Sequence, residues 1–573
     1  MTLTTTEKKF ARQHEISYIT MLAIKDYFEG KRGWIKKFCS NPYVLMECDG
    51  FGFFRCDKLA LKVGFDMTSM FRTKAYIEQS LMNSNEGNSI IRLDIIIDDM
   101  CRTLNIDYNK AVEALLSDSN KYYLLDRYFS RVYFNDIVCK SKEPVFITHS
   151  DWYSAEKFVY NWLKTLSKEE NPRKDGNIFD IMGKKYPTLN EQQKYVIDHI
   201  LDKNINLLIG LGGSGKTYVT KIILDILQRH GYSYTLLTPT GISSFNLSEK
   251  TGVVSYTIHR AFYSQLVIDT DYVIIDEIGM CGYNHFNMLN KMIVDKSKTK
   301  PLFIGDKYQL PSIEAGDYLS SMMKLIYRNK VNGNVFELDK VMRVKDGKDI
   351  AEICSKLCGN TKQFDENILT SEHNGVNFYP KSDNLFEQIE QILKDNNWDL
   401  KETAIIMPQK KGKCGCDEFN KYIQSKNTSD TIFEDNFKSY KAGDILMHIK
   451  NNTSLDIYNG ELVELIEFNG INYIAKKLYN SDIIEYPFKT IASETNLGYS
   501  FTVHKSQGCT IKNVIFIAIK EFTYMLSRNL MYVGMSRASD NLAVIYDKNT
   551  FLNSTYKSLN DKRLTFLGVL ANR

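Results

Sequence analysis

The spacing of apolar positions changes character along the chain. Through the first 150 or so residues it is helical: Ile16 to Phe28, Asn41 to Met46, Cys56 to Val63 and Tyr108 to Leu116 repeat near every 3.6 positions, which predicts short helices with one buried face. From about Tyr186 unbroken apolar runs take over, at Leu207-Leu208-Ile209, Thr235-Leu236-Leu237, Val273-Ile274-Ile275 and Leu302-Phe303-Ile304. Short runs without alternation, separated by helical stretches, are the pattern of parallel strands covered on both faces. A helix from Tyr218 to His230 is predicted to stop at Gly231, which can take the positive φ of a C-terminal cap. A second series of buried runs follows at Ala404 to Met407, Val514 to Ile517 and Leu542 to Ile545. Between them, Gly443 to Pro487 alternates with period two. Its Asn459-Gly460 and Asn469-Gly470 dipeptides predict type I′ hairpin turns, since both central residues of that turn need positive φ.

These changes predict a helical N-terminal domain over 1–150, a connector over 151–185, and two α/β domains over 186–340 and 341–573. A small β-barrel is inserted into the second at about 440–495. At 573 residues the chain has room for several cores, and with 10 prolines and no repeat its linkers are short. A composition of 43% apolar and 25% charged residues excludes a disordered chain. No run approaches the roughly 18 apolar residues of a membrane helix. Glu7, Lys8, Lys9 and Arg12 are not followed by an apolar segment, which speaks against a secretory signal, so a cytoplasmic location without a membrane partner is expected. The 11 cysteines show no Cys-x-x-Cys spacing and are read as reduced core thiols. Net charge is only +4, yet Asn496 to Arg573 carries ten Lys/Arg against four Asp/Glu. That segment is either a solvated basic face or a nucleic-acid footprint.

The strongest chemical signal is Gly210-Leu211-Gly212-Gly213-Ser214-Gly215-Lys216-Thr217, which fits G-x-x-x-x-G-K-[ST] between a buried strand and a helix. In such a loop backbone N–H groups turn toward phosphate oxygens and the helix N-terminus adds partial positive charge. Lys216 is expected at the β- and γ-phosphates of ATP and the Thr217 hydroxyl at Mg²⁺. Asp276-Glu277 end a buried strand; there Asp276 is expected to hold Mg²⁺ and Glu277 to activate the attacking water.

Taken in order, the remaining segments resemble the motifs of superfamily 1 helicases, most of all the stand-alone RecD-like type of superfamily 1B. Leu189 to Gln193 resembles the adenine-reading motif, with Gln193 as its glutamine; Thr238-Pro239-Thr240-Gly241 and Thr257-Ile258-His259 resemble the DNA-contacting motifs of the first motor domain. Gly305 to Ser312 is similar to G-D-x-x-Q-L-P-[SP], in which Gln309 senses the γ-phosphate. Leu338 to Arg343 resembles the motif whose arginine reaches that phosphate from across the cleft, although Val344 stands where many relatives carry Gln. Thr502 to Gly508 is close to T-x-H-K-[SA]-Q-G, and Arg528 to Ala538 resembles the last motif, with Arg537 as arginine finger. Asn41-Pro42-Tyr43 followed by Gly50-Phe51-Gly52 and a helix looks like a helix-hairpin-helix.

The resemblance implies two RecA-like P-loop domains with a helical N-terminal domain, driven by ATP and Mg²⁺, moving 5′ to 3′ on single-stranded DNA. It implies nucleotide contacts by Gln193, Gly210, Gly212, Gly213, Ser214, Gly215, Lys216, Thr217 and Gly508. Catalysis falls to Lys216, Glu277, Gln309, Arg343 and Arg537. DNA contacts fall to Thr240, Thr257, His259, Thr502, His504 and Lys505, with Gly50 and Gly52 in the N-terminal domain. Implied partners are single strands and duplexes with a 5′ tail, together with single-strand-binding or replisome proteins around a monomer. One departure stands out: only Arg260 to Thr270 lies where relatives carry a β-hairpin pin. A translocase that does not split duplexes is therefore the second reading, and a DNA-binding scaffold with a nucleotide switch the third.

Overall fold

The computed structural model describes residues 2–48, 50–85, 87–117, 120–126, 131–132, 144–168, 185–340, 349–358, 364–435, 437–452, 454–558 and 563–572. The chain forms two compact units, 1–156 with 563–566, and 157–562 with 567–573.

The first unit is mainly helical, as the 3.6 spacing predicts, with helices Thr5–Gln13, Tyr18–Tyr27, Trp34–Ser40, Phe53–Lys62, Met70–Asn85, Leu93–Leu104 and Tyr108–Ser117. It also holds a small antiparallel sheet that the sequence reading did not anticipate, ordered β1 (Ile91–Arg92), β4 (Phe146–His149), β2 (Tyr122–Leu125), β3 (Arg131–Val132). The predicted helix at Asn41 to Met46 is a 3₁₀ segment, Pro42–Glu47, started by Asn41, whose side chain accepts the Tyr43 N–H at 3.1 Å. Gly50 follows at φ +81°, and Gly52 caps the next helix. The buried Glu7 is held by Lys25 at 2.9 Å and by the Trp34 indole at 3.0 Å. Burial works against its charge, but the Lys25, Thr4 and Trp34 hydrogen bonds prevail and bring its carboxyl down to about 2.

The second unit contains two parallel sheets among the described residues. The first is ordered β10-β5-β9-β8-β6-β7, from β5 (Asn206–Gly210), β6 (Tyr234–Thr238), β7 (Tyr256–Thr257), β8 (Tyr272–Ile275), β9 (Lys300–Gly305) and β10 (Asn334–Leu338). Each predicted buried run lies inside one of these strands, and every residue of β5 and β8 is buried. The second sheet is ordered β11-β22-β21-β12-β20, from β11 (Val376–Pro380), β12 (Thr403–Met407), β20 (Ser500–Thr502), β21 (Ile511–Ala518) and β22 (Ala538–Tyr546). Two α/β domains are thus present, each with its own core.

Between β12 and β20 runs antiparallel structure: the pair β13 (Thr431–Glu434) and β14 (Ser439–Lys441), then a five-stranded sheet ordered β18-β17-β16-β15-β19. Its strands are β15 (Ile445–His448), β16 (Leu462–Phe468), β17 (Tyr473–Lys477), β18 (Ile483–Tyr486) and β19 (Thr495–Leu497), packed over Leu446, Val463, Leu465, Ala475 and Tyr486. The type I′ expectation is corrected here. Gly460 and Gly470 have positive φ, but Asn459 and Asn469 do not. The Asn469 side chain instead accepts the N–H groups of Ile471 and Asn472 at 3.0 and 2.8 Å, which builds a four-residue loop. Asn459-Gly460 lies near the end of a long connection between β15 and β16, and is no tight hairpin.

No described helix is long and apolar enough to cross a membrane. The described cysteines are all free thiols, and no cluster of three or more His, Cys, Asp or Glu suited to a metal occurs among the described residues.

Candidate functional site

Strand order decides what meets at the carboxyl edge of the first sheet. β5, β9 and β8 are neighbours, so the P-loop after β5, the Gly305-Asp306 turn after β9 and the Asp276-Glu277 pair after β8 lie side by side. β6 and β7 continue the same edge and carry Thr240 and Thr257 at their ends.

The P-loop wraps the start of helix α1 (Lys216–Arg229), with Gly213 at φ +83° and Gly215 at φ +86°, a region where side chains are strained. The Lys216 ammonium donates to the carbonyls of Gly210 and Leu211 at 2.7 and 3.0 Å. Ser214 Oγ is buried without a hydrogen-bond partner, an acceptor and donor left for a ligand. Gln193 is buried, caps its own helix with Asn190 and donates to the Ser214 carbonyl at 3.4 Å. Its amide thus braces the P-loop. Glu277 occupies the left-handed region at φ +55° and Asp276 Oδ1 accepts its N–H at 2.9 Å. Burial and then the adjacent Glu277 charge raise the Asp276 carboxyl, while Lys216 acts in the opposite sense. Two crowded acids and a hydroxyl at Thr217 are oxygen donors of the kind Mg²⁺ takes alongside phosphate.

From the second sheet, helix Arg528–Met535 reaches this edge. The Tyr532 phenol accepts the Gly212 N–H at 2.7 Å and donates to Asp306 at 2.6 Å. Asn529 donates to the carbonyls of Tyr308 and Gln309 at 3.0 and 3.4 Å. Arg537, expected to cross the cleft, is buried on its own side: its guanidinium donates to Val533 O at 2.9 Å, Ser536 Oγ at 3.2 Å and Cys509 O at 3.3 Å. A reach to the γ-phosphate requires it to leave these partners. Arg343 lies outside the described residues.

A cavity of about 310 Å³ lies at the end of this edge that β6 and β7 form. It is lined by Thr240 and Gly241 after β6, by Thr257 and His259, by Met280, by Asn451, Asn459 and Gly460 of the antiparallel insert, and by His504, Lys505 and Gln507. Five of the six motor-domain residues expected at DNA therefore face one space. Thr240 and Thr257 are N-caps of helices α2 (Gly241–Thr251) and α3 (Ile258–Tyr263), their hydroxyls accepting the N–H groups of Ser243 and Arg260. Gly241 has a steric reason to lack a side chain, since a Cβ there would lie 2.7 Å from the Tyr458 ring. Burial lowers the affinity of His504 and Lys505 for protons. Thr502 starts the same turn without lining the cavity. Gly508, expected at the nucleotide, belongs elsewhere: it packs on Ile242 and Ser243, and its carbonyl accepts from Asn246 at 2.9 Å. The chain bends there at φ +82°, at the start of α2. Asn451, Asn459 and Met280 were missed by sequence reasoning, the Asn459-Gly460 signal having been read as a turn alone. Gly50 and Gly52 lie in the first unit.

Helix α4 (Tyr283–Met292), following the acid pair, presents His285 edge-on to His259 with ring centroids 4.8 Å apart. Burial, and secondarily His259, lowers His285 to about 4 from an ordinary 6.5, and its Nδ1 accepts the Gly282 N–H at 3.2 Å. The neutral ring is the folded form, so stability is full above pH 6.5. Between pH 6.5 and 4 it should fall by about 1.4 kcal/mol per pH unit, as the unfolded chain takes up the proton first. Thermal melts across that range should show this slope in wild type and a shallower one in His285→Gln; equal slopes would overturn the assignment.

Two parallel-sheet motor domains, a P-loop and a neighbouring cleft define the nucleotide-driven helicase class. Residues 188–376 match an AAA domain family, 497–545 the UvrD-like helicase C-terminal domain, and 6–90 the HHH domain of ATP-dependent RecD2 DNA helicases. The RecBCD enzyme subunit RecD of Buchnera aphidicola is 25% identical over 71% of this chain and 81% of its own length. The ATP-dependent RecD2 DNA helicase of Deinococcus radiodurans is 24% identical over 87% of this chain and 68% of its own. The structure of Bacteroides Pif1 bound to single-stranded DNA aligns with TM-score 0.42 and 15% identity over 63% of this chain and 93% of that one. In these three segments and in these relatives the chain is similar to RecD-like ATP-dependent DNA helicases.

Proposed function

We propose that the chain hydrolyses ATP to move 5′ to 3′ along single-stranded DNA and to separate duplex with a 5′ tail. The observation that carries this reading is the sheet edge that puts the nucleotide cleft on β5, β9 and β8 and the polar cavity on β6 and β7. In the proposed mechanism Lys216 and the P-loop amides hold the phosphates, Glu277 orients and deprotonates water, and Gln309 lies beside the γ-phosphate. Thr217 and Asp276 would hold Mg²⁺, which when bound neutralises phosphate charge. Arg343 and Arg537 would add positive charge from the second domain, so that hydrolysis is tied to closure. Thr240, Thr257, His259, Thr502, His504 and Lys505 would grip phosphates of one strand, and each closure would shift the domains along it.

In the same reading 1–150 is a DNA-facing accessory domain, with Gly50 and Gly52 offering backbone N–H groups to phosphates, 151–185 a connector, and 186–340 and 341–573 the motor domains. The antiparallel insert is read as a small barrel. The protein would work as a cytoplasmic monomer beside single-strand-binding or replisome proteins.

One observation favours the second reading, translocation without strand separation. Between β7 and β8 the chain forms the short helix α3 and a loop, with no β-hairpin. A forked duplex with either a 5′ or a 3′ tail, ATP and Mg²⁺ distinguishes the two. Release from the 5′-tailed fork alone is expected. ATP turnover and displacement of a protein from single strands without release would favour the translocase, and release from the 3′ tail would overturn the polarity.

A further inference from the structure

We propose that Tyr532, supported by Asn529, is a positioning residue through which the second motor domain sets the geometry of the P-loop and of the Gln309 loop. This rests on the nucleotide-driven reading above and adds to it a residue that the motif roles do not name.

The geometry is specific. Tyr532 is 2% exposed, and its single oxygen connects two loops of the other domain: it accepts from Gly212, the third residue of the P-loop, and donates to Asp306. Only a group that both donates and accepts at that reach can do this. Phenylalanine fills the same space and does neither. Asp306 is itself buried, and while its Oδ1 accepts the Tyr308 N–H at 3.0 Å, the Tyr532 hydroxyl is the donor to its Oδ2. Burial and the Asp306 charge push the phenol proton affinity far above the ordinary range, so it remains a donor at every working pH.

Asn529 lies three residues earlier, on the same helical face, and its amide donates to the backbone of Tyr308 and Gln309. The two side chains therefore hold the loops on either side of the γ-phosphate position. The helix that carries them is itself fixed. Ser527 caps its start, with Ser527 Oγ accepting the Leu530 N–H at 3.2 Å. Gly534 lies so close to Phe516 of β21 that a Cβ would meet its ring at 2.4 Å. A shift at Tyr532 is accordingly a shift of the whole helix and of Arg537 two residues beyond it. Arg537 spends its guanidinium on second-domain groups, while Tyr532 and Asn529 reach the P-loop and the Tyr308-Gln309 loop.

The test compares Tyr532→Phe, Asn529→Ala, Asp306→Ala and the Tyr532→Phe/Asp306→Ala double variant of the full chain. Nucleotide-binding stoichiometry corrects for the folded fraction. Per binding-competent molecule, Tyr532→Phe should lower kcat for ATP with single-stranded DNA by roughly 10- to 100-fold with KM within about threefold, and Asn529→Ala by a smaller factor. The double variant should lose no more than the worse single, because both changes break one connection. Release of a fluorescent ADP analogue without DNA should accelerate by about tenfold in Tyr532→Phe. Wild-type kinetics in Tyr532→Phe, a kcat loss that disappears once corrected for binding-competent protein, or losses that multiply in the double variant would each overturn the proposal. The release rate judges it even if DNA stimulates nothing in wild type, an outcome that would count against the helicase reading alone.

Discussion

Lys216→Ala is expected to reduce ATP turnover in the presence of single-stranded DNA by roughly 10²–10³-fold, the range for removing one preorganised electrostatic contact from a catalytic site. The ammonium sits on the carbonyls of Gly210 and Leu211, within the loop proposed to hold the phosphates. It also offsets part of the burial and Glu277 repulsion that raise Asp276. Its loss therefore removes the phosphate partner and makes the neighbouring carboxylate harder to ionise, two changes that act in the same direction. DNA affinity should change by less than about threefold, because the polar cavity is lined from β6, β7, the insert and β20 and not by the P-loop. Steady-state turnover beside DNA binding by fluorescence anisotropy checks both arms. Turnover within tenfold of wild type would remove Lys216 from the site.

Glu277→Gln should lower turnover by about 10²–10⁴-fold, the usual worth of a positioned general base, while nucleotide and DNA both still bind. The substitution keeps size and hydrogen-bonding reach. It also keeps the backbone cost of φ +55°, which any residue with a side chain bears at that position. No new strain is introduced, so the loss reads the carboxylate alone. It also removes one of two crowded acids, and Asp276 should ionise more readily, which favours retention of bound ATP and cation. Single-turnover hydrolysis separates the cases: slow chemistry with normal binding is expected, and unchanged single-turnover chemistry would assign the base elsewhere.

The α/β domains were legible because a strand covered on both faces is mostly apolar, with few polar positions such as Asn206. Leu207 to Ile209 or Val514 to Ile517 read the same in the sequence and in the sheets. The P-loop and acid pair were legible for a related reason, since their residue types are set by phosphate chemistry at strand ends. The antiparallel insert was legible as strands but not as turns: Asn469 satisfies neighbouring N–H groups with its side chain, a choice that its dipeptide does not reveal. Asn451 and Asn459 reach the cavity through a long loop, and such an approach leaves no periodic trace. Likewise the pairing of Tyr532 with Gly212 and Asp306 spans hundreds of positions, and no local pattern announces it. The small sheet in the first unit was hidden by the shortness of its strands, two of which are two residues long.

The strand order of the second sheet also fixes when each half of the motor can exist during synthesis. The first sheet is complete once Leu338 has emerged. In the second, β22 lies between β11 and β21, and Val376 waits for Leu542 before β11 gains its sheet partner. Until the ribosome delivers 538–546, β11 has no partner on that side, and the face that will bury Ile515, Phe516 and Val544 stays incomplete. The nascent chain thus carries a finished nucleotide-binding half beside an unfinished one for most of the translation of the second domain. A nonsense or frameshift lesion late in the gene removes an interior strand, not a tail, and should yield a soluble first α/β domain joined to an aggregation-prone remnant with open strand edges.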